Sequence, residues 1–283
     1  MESDGTVISD ELTVDGLARG FTIRPPNGPS ADGPRPLVLV LHGNHPDEGA
    51  GSRMMRELTT FDDQADARGW VVVYPDGHSG NWADGRGVTT AEEAGVDDVA
   101  FLSALINHMA AHHGTWPDRT VVAGASNGAF MAHRLALAAG DQVAVLAAVA
   151  GTLPVALHEV RPAHAVSALL MHGTADEIAP IGGGYSRHRG PNGELRGRTV
   201  SLDATAERWR TIDRCPAPGP DGTRETEFSI RTTAAGGVGG TQVATWQVLG
   251  DGHGWPTMRE FDAAEEICRF AEPLLLPAAA RRL

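Results

Sequence analysis

Five unbroken apolar runs, each closed by a turn signal, constrain this chain more than any other feature. Leu37, Val38, Leu39, Val40 and Leu41 lead into His42-Gly43, residues 70–74 stop at Pro75-Asp76-Gly77, and residues 120–123 stop at Gly124. Residues 145–150 end at Gly151, and residues 168–171 end at His172-Gly173. A strand with one face in water alternates apolar and polar residues. These runs do not alternate, so each predicts a strand covered on both faces. Helical spacing fills the gaps at about 53–68, 96–113, 127–139 and 201–213, with Val99, Leu102, Leu105, Ile106 and Met109 on one helical face. Strands and helices in this alternation form a mostly parallel central sheet with helices on both faces, an α/β fold. A loosely alternating segment at 12–23 adds an early edge hairpin. Residues 225–233 and 241–249 add two strands joined by a Gly-rich turn, and 259–271 a closing helix. No repeat or compositional break divides the chain, so a single domain over 1–283 is expected, with a short irregular insert at 181–199.

Composition excludes several classes. A chain with 41% hydrophobic and 21% charged residues is neither disordered nor fibrous. Its longest apolar stretch falls far short of the ~20 residues of a membrane helix, so no membrane partner is expected. The net charge of −13, from 36 acidic residues against 23 basic ones, repels phosphate backbones. Arg187, Arg189, Arg196 and Arg198 come nearest to a basic patch, but in a Gly-rich stretch poor in aromatics they read as a solvated loop. Nucleic acid is therefore not an expected partner. Cys215 and Cys268 match neither a metal nor a redox spacing and predict two free thiols, with a bridge from the loop after one helix to the last helix as the lesser alternative. The histidines lack spacings such as H-E-x-x-H, so no metal is expected. Met1-Glu2-Ser3-Asp4 shows no basic-then-apolar leader, and a cytoplasmic location is the expectation.

The sharpest chemical signal is Gly124-Ala125-Ser126-Asn127-Gly128, directly between a predicted strand and a predicted helix. A G-x-S-x-G turn there lifts the serine to the sheet edge and aims the helix N-terminal amides at a developing oxyanion. Alone, the string also fits a serine N-cap. A serine nucleophile needs a base and an orienting acid, and after such an elbow the chain order is Ser, acid, His. Asp176 follows the strand at 168–171 and fits the acid, with Glu177 as its close alternative. His253, flanked by Gly252 and Gly254 after the last strand, fits the base. The amides of Asn127 and of Asn44, in the loop after the first apolar run, are the expected oxyanion donors. This chemistry needs no cofactor.

The order of LHG, YPDG, NW, GVDDVAFL, GASNGAF, HGTAD and GHGWP over residues 12–272 resembles the polyhydroxybutyrate-depolymerase/feruloyl-esterase-like family of α/β-hydrolases, which includes bacterial lipoprotein-type esterases. The resemblance implies an α/β-hydrolase fold, a triad of Ser126, Asp176 and His253, and an oxyanion hole at Asn44 and Asn127. Trp82 and Trp255 match aromatic positions flanking the site in such enzymes, which predicts two indole surfaces facing substrate. Asp97-Asp98 matches a helix-start motif. The chain departs from the family at His42-Gly43-Asn44-His45-Pro46, where a Gly-rich run is usual, and His45 is expected to reshape the acyl pocket. Without a leader, a small soluble ester is expected in place of an extracellular polymer. The alternative is an acyltransferase or lactone-handling enzyme using the same triad; a non-catalytic binding protein on this scaffold ranks below both.

Overall fold

The computed structural model describes residues 7–27, 33–47, 49–189, 192–256 and 262–275. Strands β1 (Ile8–Val14) and β2 (Leu17–Arg24) form the early hairpin through Asp15 and Gly16, both at positive φ. Between β3 (Arg35–Leu41) and β4 (Val71–Pro75) lie two helices, α1 (Ala50–Leu58) and α2 (Phe61–Arg68), where spacing predicts one. Thr59 takes an extended conformation and its hydroxyl bonds the Met55 carbonyl at 2.8 Å, which closes α1. Asp62 and Asp63 then occupy the first turn of α2, where the helix dipole favours carboxylates. No Gly or Pro marks this break, so periodicity reads through it.

A short α3 (Thr90–Glu93) precedes α4 (Asp98–His113), which starts on Asp97 and ends on left-handed Gly114. Then come β5 (Thr115–Ala125), α5 (Asn127–Ala138), β6 (Val143–Val149) and β7 (Ser167–Gly173). Strands β8 (Gly184–Arg189) and β9 (Leu195–Thr199) pair antiparallel as a separate hairpin, so the span read as irregular contains a ladder. Its Gly and Arg content hides it, because exposed strands bury no apolar face for the sequence to mark. After α6 (Leu202–Asp213) come β10 (Thr223–Glu225), β11 (Ser229–Ala235), β12 (Gln242–Val248) and α7 (Ala263–Leu275). The closing helix thus lies later than the 259–271 expected; residues 257–261 lie outside the described residues.

Among the described residues, ten strands share one sheet in the order β1-β2-β4-β3-β5-β6-β7-β12-β11-β10. The strands from β4 to β12 in that order run parallel, with antiparallel pairs at both edges. Each apolar run feeds two cores. Leu37, Leu39 and Leu41 pack with Phe101, Leu105 and Trp209 on the face of α4, α5 and α6. Val38 and Val40 pack with Met55, Phe61 and Ile267 on the face of α1, α2 and α7. Burying such side chains contributes roughly 1.5–3 kcal/mol each, which is why unbroken apolar runs persist in the centre of the sheet.

The register gathers the functional loops. Leu41 lies opposite Gly124, Ala125 opposite Val149, and Gly173 opposite Val248, so the loops after β3, β5, β6, β7 and β12 open along one edge. Strand β3 has β4 on one side and β5 on the other. The chain therefore reverses its direction of winding there, at the kind of switch point where α/β sheets hold ligands. Cys215 and Cys268 are free thiols. No helix among the described residues is long and apolar enough to cross a membrane.

Candidate active site

Ser126 stands alone between β5 and α5 with φ 52° and ψ −115°, a conformation few non-glycine residues adopt. Its N–H donates to the Val149 carbonyl at 2.9 Å, which ties the turn to the neighbouring strand. The flanking glycines are steric requirements. A Cβ on Gly124 would lie 2.2 Å from the Gly128 carbonyl oxygen, and one on Gly128 would lie 2.2 Å from the Leu41 carbonyl oxygen. The elbow closes because both positions lack a side chain.

His253 bridges serine and acid. Its Nε2 lies 2.9 Å from Ser126 Oγ, and its Nδ1 lies 2.8 Å from Asp176 Oδ2. A carboxylate only accepts, so Nδ1 carries the proton and Nε2 is left to accept from the serine hydroxyl. Of the two adjacent acids, buried Asp176 meets His253, while Glu177 is exposed. The other carboxylate oxygen, Asp176 Oδ1, accepts the Ile178 and Ala179 amides, each at 2.8 Å. Burial by itself pushes this carboxyl up. The hydrogen bonds from His172, His253 and the Ala179 amide outweigh it and hold Asp176 well below the usual carboxylate range.

The loops carrying acid and base are also locked together. The Ala175 amide donates to the Asp251 carbonyl at 2.9 Å, and the Gly250 amide to Thr174 Oγ1 at 2.8 Å. A Cβ on Gly173 would lie 2.4 Å from the carbonyl oxygens of Asp251 and Gly252, so this approach also requires glycine.

A second imidazole, read from the sequence only as part of a strand-ending turn, sits beside the acid. His172 is 1% exposed, and its Nε2 donates to the Ala179 carbonyl at 2.7 Å while lying 3.2 Å from Asp176 Oδ2. It fixes both the carboxylate and the loop that carries it. Its place four residues before Asp176, at the end of a buried strand, was the available signal.

The loop after β3 runs beside the serine: a Cβ on Gly43 would touch Ser126 Cβ at 3.4 Å. His42 is buried, accepts the Gly77 amide at Nε2 (2.9 Å) and donates from Nδ1 to the Gly43 carbonyl (2.6 Å). Burial lowers its pKa, in keeping with this neutral form. The Asn127 side chain is a brace. Its Oδ1 accepts the Trp82 amide at 2.8 Å, and its Nδ2 donates to Asp84 Oδ2 at 2.6 Å. Asp98, read from sequence only as part of a helix start, pairs with Arg19 at 2.6 Å and accepts the Ala83 amide at 2.7 Å. A buried acid beside a helix start gave no hint of that partner across the fold.

Ser126 opens into a cavity of about 290 Å³. Asn44, Asn127, Phe130, Arg86, Thr89, Ile178, Ala179, Ser186 and Arg189 line it with the serine. Three residues expected to meet substrate do not line this cavity. Trp82 is fully buried and donates its indole N–H to the His42 carbonyl at 2.9 Å, so the ring packs under the loop. Trp255 is 8% exposed and packs on Phe61 with ring centroids 5.7 Å apart. The His45 imidazole is engaged with the Asp47 backbone at 3.1–3.2 Å. Aromatic loop residues near a site serve packing as readily as recognition, and the sequence pattern does not separate the two uses. Among the described residues, no group of His, Cys, Asp and Glu is arranged to hold a metal ion.

The chain is 30% identical over 267 residues to the protein named "Putative esterase NocK" of Nocardia uniformis subsp. tsuyamanensis, a match that covers 90% of this chain and 75% of that one. It is 25% identical over 171 residues to the bifunctional acetylxylan esterase/xylanase XynS20E of Neocallimastix patriciarum, covering 60% of this chain and 23% of that protein. Among solved structures, the acetyl xylan esterase from Aspergillus awamori shares the fold with a TM-score of 0.63 and 14% identity, over 95% of this chain and 99% of that one. The ThiS family profile matches residues 86–151, less than half of the chain. That span is no separate unit here: it carries Ser126, and its strands β5 and β6 sit in the middle of the ten-stranded sheet. By its kinship with NocK over most of both chains, and by a fold with Ser–His and His–Asp contacts at the sheet edge, the chain belongs to the α/β-hydrolase superfamily of esterases and hydrolases.

Proposed function

We propose that the chain is a serine esterase that cleaves short carboxylic esters through an acyl-enzyme. One observation carries the reading: Ser126 Oγ, His253 and Asp176 form a continuous hydrogen-bonded line of 2.9 and 2.8 Å whose serine end lines a cavity. Ser126 Oγ attacks the ester carbonyl as its proton passes to His253 Nε2. Asp176 holds the imidazole in the accepting tautomer and stabilises the imidazolium. The carbonyl oxygen, now anionic, takes hydrogen bonds from the Asn127 and Asn44 amides, and loss of one such donor costs roughly 10²–10³ in rate. His253 then returns the proton to the departing alcohol. Water repeats the sequence on the acyl-serine and releases the acid. The bracing of Asn127 by Trp82 and Asp84, and the closeness of Gly43 to Ser126, support the assignment of the two amides.

A cavity of about 290 Å³ sits just below the usual range for ligand pockets and favours a small ester over a polymer segment. The ordered motifs favour the polyhydroxybutyrate-depolymerase/feruloyl-esterase-like branch of the superfamily. The deciding experiment is labelling with a fluorophosphonate followed by peptide mass analysis. Ser126 is expected to be modified in the native protein and left unmodified after heat denaturation or in His253→Ala. An unmodified Ser126 in the native protein sinks the proposal.

A further inference from the structure

The cavity beside Ser126 is basic in an acidic protein. The chain has 36 acidic residues against 23 basic ones, yet among the described residues Arg86 and Arg189 line the cavity and no Asp or Glu does. The two arginines come from different parts of the fold: Arg86 follows the loop braced by Asn127, and Arg189 ends β8 of the added hairpin.

Arg86 is fixed before any ligand arrives. Its Nε and Nη2 bond Asp84 Oδ2 at 2.9 and 2.7 Å, and its guanidinium carbon lies 3.9 Å from the Phe130 ring centroid. Strand β9 presses on it as well: a Cβ on Gly197 would lie 2.4 Å from Arg86 Cβ. Asp84 engages one edge of the guanidinium fork, and Nη1 is the end it does not engage. The balancing carboxylate is itself 0% exposed and lies behind the arginine. Arg189 is exposed, while the Thr89 hydroxyl in the same lining is held in a capping box with Glu92. A planar guanidinium held in place suits a carboxylate, which takes its hydrogen bonds in pairs.

We propose that this wall is an anion subsite, and that the enzyme's preferred substrate is a short ester carrying a carboxylate a few bonds from the ester carbonyl, held between Arg86 and Arg189. The proposal rests on the esterase reading above and names its substrate class. The carboxylate sits on the acyl side, as in a dicarboxylic half-ester, or on the alcohol side, as in an acylated hydroxy acid; the chemistry that recognises it is the same.

The test compares kcat/KM for monoethyl succinate with ethyl pentanoate (acyl side), and for acetoxyacetate with its methyl ester (alcohol side). Wild type is expected to prefer the charged member of one pair by about ten- to a hundredfold, the size of one charge-assisted hydrogen bond. That ratio should fall toward one in Arg189→Gln, be largely kept in Arg189→Lys, and shrink with added salt as the exposed charge is screened. Equal rates within both pairs, or a ratio that Arg189→Gln leaves intact, overturns the subsite while leaving the esterase reading in place. Absence of turnover with all four esters tells against the esterase reading instead. In that event calorimetry on Ser126→Ala protein still decides the subsite: succinate should bind more tightly than to Ser126→Ala/Arg189→Gln, and equal affinities overturn it.

Discussion

The floor and the wall of the Ser126 cavity are built by opposite means. The floor is the end of a parallel sheet buried on both faces. Its polar groups are bonded to fixed main chain: Asn127 to Trp82, Asp176 to the 178–179 amides, His42 to Gly43 and Gly77. The wall is a two-stranded ladder with register shifts, carrying Tyr185 and Leu195 at 43% and 44% exposure. It is anchored at its base, where Thr199 bridges Pro154 and the Val200 amide donates to the Leu153 carbonyl at 3.0 Å. A lone hairpin is marginal in water, so the wall borrows its order from that anchor. On the proposed reading, reaction geometry rests on the buried sheet edge, and selectivity joins Arg86 of a braced loop to Arg189 of this exposed hairpin.

The comparison breaks most visibly at the floor. Ser126→Ala and His253→Ala should each lower kcat by on the order of 10⁶, since either change removes proton transfer and attack together. Circular dichroism should remain that of wild type. Substantial turnover in either purified variant removes that residue from the mechanism.

Asp176→Asn should cost about 10⁴ in kcat, because an amide donor opposite His253 Nδ1 favours the wrong tautomer. The same variant reports on stability. Asp176 is ionised more readily in the fold than at its ordinary value of 3.8, so its stabilisation is complete above that pH and is lost as pH falls through the depressed folded value. The gap in melting temperature between wild type and Asp176→Asn should therefore be full at neutral pH and close only in strong acid. A gap that already closes between pH 7 and 5 points to another group.

A pair of glycine substitutions sets floor against wall directly. In Gly128→Ala the new methyl meets the Leu41 and His42 carbonyl oxygens at 2.2 and 2.6 Å, backbone atoms in the sheet that cannot yield. The expected loss is about 3 kcal/mol or more. Gly182, just before the hairpin, has nothing within 4 Å of a built Cβ and no positive φ, so Gly182→Ala should stay within about 0.5 kcal/mol. Urea unfolding of the two variants measures both, and similar losses would mean the wall is as tightly built as the floor.

The same division decides what the sequence reveals. The central strands are legible because burial on both faces forces residues such as Leu37 through Leu41 to be apolar. The elbow is legible because Gly124 and Gly128 are the residues that fit there. The hairpin is not, since exposed strands leave no hydrophobic period. Nor are the braces: His172, Asp84 and Asp98 are ordinary polar residues until the fold brings Asp176, Asn127 and Arg19 to them. Three-dimensional partners of buried polar groups leave no mark at any fixed spacing. Trp82 shows the reverse error, a site-adjacent aromatic whose ring faces the core.

Trp82→Phe gives a modest and diagnostic effect. The indole N–H donates to the His42 carbonyl at 2.9 Å, and the ring lies 5.0 Å from the His42 ring, beneath the loop that carries Asn44. Phenylalanine keeps most of the buried apolar surface and deletes that one hydrogen bond. Net loss of stability should be about 1 kcal/mol, the usual worth of a bond between neutral groups. If the bond holds Asn44 in line with Ser126, kcat falls up to about tenfold, within the range for a partly displaced oxyanion donor, and KM changes little. Because the ring is fully buried, the ratio of kcat/KM for aryl against aliphatic acyl esters should be that of wild type. A ratio that drops selectively for aryl esters would put the indole in contact with substrate and make residue 82 part of the wall after all. Unchanged selectivity with a lower kcat leaves it where the geometry has it, a prop beneath the floor.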